Sequence, residues 1–156
     1  MDRKELEKKV TDLLNVVAGE GIRPLYQDAC SVLSDDSPPL QAPEKMVGHS
    51  MREVESGLLT IITGIAKNQK IDISDYENTE PKINSSGEVE FVKKIQRSGQ
   101  IKLISEHFLC DLNEQEVKFW KDVQPHKIAH RRGLRGNRQI TDEFIADTWL
   151  PYLKII

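Results

Sequence analysis

PEKMVGHSMREVESGLLTIITGIA, residues 43–66, is the stretch that decides the fold. Val47, Met51, Val54, Leu58, Ile61, Ile62 and Ile65 recur in near-heptad spacing, which places them on one face of a long helix. A stripe of this kind is core, so Met46 and Met51 carry no functional weight. Toward the N-terminus, Leu6, Val10, Leu13, Leu14 and Val17 share the face of a second helix that ends at Gly19 or Gly21. Pro24 is read as the opening of a short helix bearing Leu25, Ala29 and Val32, and residues 34–43, with three prolines, as a loop.

Beyond the central helix, residues 68–87 are polar and turn-rich, an excursion in which Ile71 and Ile73 alternate as in a short strand. Ser85 and Glu88 have the spacing of a capping box for a helix through Val92 and Ile95, while Val89 and Phe91 also fit a hairpin strand. Gly99 is expected to break or kink the run before Ile101, Ile104 and Phe108. Asp111 and Glu114 suggest a further box, opening a helix with Phe119, Trp120 and Val123. Pro125 cannot sit inside that helix without removing a hydrogen bond, so a new turn starts there. Thr141 caps the last helix, with Asp142 and Glu143 at its positive end. The reading is all-α: a helical bundle of about five to seven helices with a long polar loop after the central helix. It forms a single helical domain over residues 1–156.

The chain has 156 residues, 38% hydrophobic and 30% charged. That is the size and balance of one soluble globular domain with a real core. The longest apolar run, 57–66, is too short for a bilayer, and the start has no secretory signal pattern. Cys30 and Cys110 are isolated, as expected of small buried side chains in a reducing compartment. The cytoplasm is the expected location, with no membrane association. The apolar end at Ile155 and Ile156 reads as a surface docked on a partner or as the N-terminal part of a longer polypeptide.

Charge is segregated. From Lys118 to Arg138, seven Lys/Arg stand against a single acid, Asp122, in a chain whose net charge is −3. Such a separation of sign points to an anion or an acidic partner. His126 and His130 lie four apart within this window, on one face if helical. They would be half of a zinc site, but the residues between them lack the glutamate of HExxH and the surrounding charge repels a dication. No metal and no cofactor is expected. Two histidines beside Arg131 and Arg132 do supply a base, an acid and a cation for metal-independent RNA cleavage. The plain alternative is that both histidines hydrogen-bond within a bundle while the arginines form a solvated face. His49, Arg52 and Glu53 make a second polar cluster on the central helix. They read either as a hydrogen-bonded knot or as one wall of a cleft.

HSMREVESGLL (49–59) together with PHKIAHRRG (125–133) resembles the helical domains grouped as HEPN-like, in particular predicted nuclease domains of prokaryotic Argonaute-associated and other phage-defence operons. The resemblance covers 44–67 and 113–156. It implies a helical bundle that commonly dimerises and places an arginine, four to six residues and then a histidine at the interface. No arginine here has that relation to a histidine; the nearest equivalent is Lys121 with His126, and a lysine delivers a point charge without the bidentate fork.

The function expected is a HEPN-like interaction or RNA-facing module of a larger cytoplasmic prokaryotic protein, contacting anions through Lys121, Lys127, Arg132, Arg135 and Arg138. One alternative is a metal-independent ribonuclease with His126 and His130 as acid and base and Arg131 on phosphate. The other is a protein-interaction domain, docking an acidic partner or forming a homodimer.

Overall fold

The computed structural model describes the chain apart from residues 1, 35, 38, 39, 41, 110, 124, 126, 127 and 129–140. It is predominantly helical. Helix α1 spans Arg3–Val17, α2 Gly19–Val32, α3 Pro43–Asn68, α4 Arg97–His107 and α5 Glu114–Asp122. A last helix, α6 (142–155), passes through a π turn at Ile145–Trp149. A hairpin of β1 (Glu77–Ile83) and β2 (Val89–Ile95) follows a short 3-10 turn at Ser74–Tyr76. The chain divides into two compact units, Met1–Leu58 with Lys118–Ile156 and Leu59–Val117.

In the first unit α1 and α2 form an antiparallel pair joined through Ala18. Asp2 and Glu5 close a capping box on α1. The register is fixed by Arg3 donating to the Leu33 carbonyl at 2.6 Å, Tyr26 to the Glu7 carbonyl at 3.2 Å and Arg23 to Asn15 at 2.7 Å. Leu6, Val10 and Leu14 of α1 are buried, as are Ile22, Tyr26 and Ala29 of α2 and Val47, Met51 and Val54 of α3. Pro24 lies inside α2, not at its start. The carbonyl it leaves without a helical donor belongs to Glu20, an exposed residue, so the lost bond is at the solvent side of the helix. Pro151 explains the π turn. It has no N–H to give Asp147 and its ring would crowd that carbonyl, and the wider turn just before it lets Leu150 N–H reach Ile145 O instead.

In the second unit Ala66, Tyr76 and Leu103 are buried, with Ile71, Ile73, Ile95 and Phe108 packed against them. Of the two readings of 85–95, a helix or a strand with Val89 and Phe91, the structure takes the strand, and the hairpin also replaces part of the expected polar loop. Asn84 N–H bonds to Glu88 O at 2.9 Å, Asn84 Oδ1 accepts from the Ser86 and Glu88 amides, and Gly87 takes the left-handed conformation (φ 82°). Ser85 and Glu88 therefore bracket a tight turn of the kind that needs a glycine. Gly99 does not break α4. Its missing Cβ admits the Tyr76 carbonyl, which would lie 2.4 Å from an added methyl. The box opening α5 is Asn113 with Glu116 (3.0 and 2.9 Å), two residues beyond the expected one, while Thr141 caps α6 as expected. Among the described residues no helix is long and apolar enough to cross a membrane.

Candidate functional site

The basic window emerges from the end of α5. His126, His130, Lys127, Arg131, Arg132, Arg135 and Arg138 lie outside the described residues. Lys118 and Lys121 are described, exposed on the last turns of α5. On the same turns Trp120 points the other way, 4% exposed, and donates its indole N–H to Glu55 Oε1 at 2.8 Å. Pro125 is fully buried. Past the window, Trp149 is fully buried, its ring stacked on Tyr26 and Tyr152 at 5.9 and 6.2 Å. Its N–H donates to Glu7 Oε1 at 2.9 Å, the same oxygen that receives Arg3 at 3.1 Å. Tyr152 donates to the Met51 carbonyl at 2.9 Å. The described chain before and after the basic window is thus packed into the core of the first unit, at Trp120 and at Trp149.

The second cluster is split by the structure. Arg52 pairs with its chain neighbour Glu53, Nε to Oε1 at 2.9 Å. Both are partly exposed, and His49 is not part of this ion pair. His49 instead lines an open cleft of about 660 Å³ between α2 and α3. Leu25, Val32, Leu40 and Met46 give that cleft an apolar floor, with Asp28 and Lys45 among its polar groups. Its size is that of a small-molecule or side-chain pocket. Cys30, on α2, has its thiol pushed up to about 11 by burial, so it is a protonated, unreactive thiol at neutral pH. Tyr26 is raised as well, first by burial and then by the neighbouring Cys30. Cys110 lies outside the described residues.

The second unit holds a polar group that sequence reasoning did not find. Tyr76 OH donates to Glu106 Oε2 at 2.6 Å and lies 3.0 Å from His107 Nε2. Lys102 sits over the ring at 5.3 Å. The bond to Glu106, then burial, raises Tyr76 to about 12, which keeps it a neutral donor that ties the foot of the hairpin to α4.

The chain matches no family model, no curated protein and no solved structure in comparisons with each. Among the described residues no group of three or more His, Cys, Asp or Glu side chains could share a metal ion.

Glu55 and Glu7 were overlooked because each is a single carboxylate in a charged helix. Glu55 had a signal: it stands four residues after Met51 and eight after Val47, on the margin of the apolar stripe. Glu7 had none, since its partner Trp149 is 142 residues away.

Proposed function

We propose that the chain is a HEPN-like helical binding module that presents its basic 118–138 segment to the phosphate backbone of RNA, in the phage-defence setting the resemblance implies. One observation carries the reading: seven cations against one acid are gathered in residues 118–138, and the described chain on either side is anchored in the first unit's core by buried Trp120 and, eleven residues past Arg138, by Trp149. Anchoring the chain on either side of a charged segment lowers the entropy lost when that segment engages a ligand. Cations gathered on it release the counterions of several phosphates at once, and the acidic remainder of the chain disfavours other docking orientations.

The test is fluorescence anisotropy on a labelled single-stranded RNA over a salt series. With four of the seven cations on phosphates, log affinity falls against log salt with a slope of about −3. Removing Arg132, Arg135 and Arg138 together makes the slope shallower. Absence of binding at low salt removes the RNA reading and leaves docking of an acidic protein. Cleavage in the presence of chelator, yielding 2′,3′-cyclic phosphate ends and falling roughly 10²–10⁴-fold in His126→Ala and His130→Ala, replaces binding alone with the ribonuclease reading.

A further inference from the structure

Among the described residues the sheet has two strands, and β2 pairs with β1 alone. The bond from Asn84 to Glu88 sets the alternation of the ladder. Glu90, Val92 and Lys94 then turn their backbone groups inward to β1, while Val89, Phe91, Lys93 and Ile95 turn theirs outward. On β1 the outward row contains Pro81, opposite Phe91, which has no N–H to give. The edge of β1 is interrupted and the edge of β2 is complete. Opposed residues share a face, so Pro81, Ile83, Val89 and Phe91 form one apolar patch at the hairpin tip. Ile83, Val89 and Phe91 are 70%, 61% and 73% exposed, more than any other large apolar side chains described except Val16.

We propose that β2 pairs with β2 of a second copy of the chain, antiparallel and centred on Val92, to make a four-stranded sheet across a two-fold axis. The charge pattern selects this occupant. In that register Glu90 opposes the partner's Lys94, and Lys94 the partner's Glu90, so both pairs are of opposite sign. Phe91 opposes the partner's Lys93, a cation on an aromatic ring, and Val89 opposes the partner's Ile95. The two Phe91 rings lie diagonally across the axis, about 7–8 Å apart at the backbone, within reach of each other. Other registers are worse. A centre between two residues would set outward groups against inward ones, and no ladder forms. A centre on Lys93 brings two lysines face to face, and a centre on Phe91 sets Glu90 against valine. The Val92 register also pairs all seven residues of β2, and it is isologous, so the assembly closes as a dimer. Lysines on an edge strand usually keep it from pairing. Here each lysine of β2 has a complementary residue opposite it.

The experiment is sedimentation velocity on the whole chain over a concentration series, with helical content as a check on folding. The expected result is a concentration-dependent species of twice the 17.8 kDa chain mass. Glu90→Lys and Lys94→Glu alone each turn two attractive oppositions repulsive and weaken the dimer by roughly tenfold or more. The two combined restore the opposite signs and with them the dimer. Lys93→Pro removes one outward N–H, leaves pairing to β1 intact as Pro81 does, and yields a folded monomer. A monomer at every concentration overturns the proposal, as does a dimer indifferent to Glu90→Lys.

Discussion

Trp120 and Glu55, 65 residues apart in sequence, meet in the core with the indole N–H 2.8 Å from a carboxylate oxygen, and both residues are almost wholly excluded from water. A buried carboxylate is costly unless donors surround it, so the indole is part of what makes Glu55 tolerable there.

Trp120→Phe keeps an aromatic ring but removes that donor, and should lower unfolding free energy by about 1–3 kcal/mol. Glu55→Gln keeps an acceptor oxygen for the indole while removing the charge, and should cost less. Urea unfolding of the two variants decides the matter. A larger loss for Glu55→Gln would mean that the charge itself is needed.

Glycine to alanine substitutions at two helical positions should have opposite signs. At Gly99 the new methyl meets the Tyr76 carbonyl at 2.4 Å and Ile95 Cγ2 at 3.2 Å, and backbone cannot retreat cheaply. A loss of about 1–3 kcal/mol is expected, exceeding the gain in helix propensity. Gly64, inside α3, has nothing within 4 Å of the added carbon, and there the propensity gain of up to about 1 kcal/mol should appear. Thermal melts of both variants test this, and a raised Tm for Gly99→Ala would contradict the packing described.

Stability should fall as pH rises above 9. The Cys30 thiol is held protonated to about 11 by burial, whereas in the unfolded chain it ionises near its ordinary value of 9.0. Between those values the native state binds more protons than the unfolded state, so the contribution present below pH 9 is lost by pH 11. Its size is on the order of 1 kcal/mol, because the thiol is only partly enclosed. Tyr26 and Tyr76 shift in the same direction and steepen the decline at the upper end. Cys30→Ala should flatten the portion from pH 9 to 11, and an unchanged profile would rule the thiol out as its source.

The helices legible in the sequence were those whose apolar stripe is long. Residues 47–65 repeat often enough that no strand could bury the same set, and Thr141 with its two acids announced α6. What failed were local rules that two structures satisfy equally. Ser85 and Glu88 fit a helix cap and a hairpin turn alike, and Val89 and Phe91 are too exposed for alternation to reveal a buried face. Pro24 looked like a helix start because nothing local shows that the Glu20 carbonyl can face water. At the candidate site the density of cations was plain from composition. The contacts of the helix that follows it were not, since each joins residues far apart in the chain, Trp149 to Glu7 and Tyr152 to Met51.

The placement of the two indoles has a practical corollary. Both tryptophans of the chain belong to the first unit and none to the second. Emission excited at the red edge therefore reports on one unit alone, whereas far-ultraviolet dichroism sums the helices of both. Superimposed curves from the two signals would mean that the chain unfolds as one cooperative body. A dichroism step that leaves the emission unmoved would be residues 59–117 melting unseen by either fluorophore.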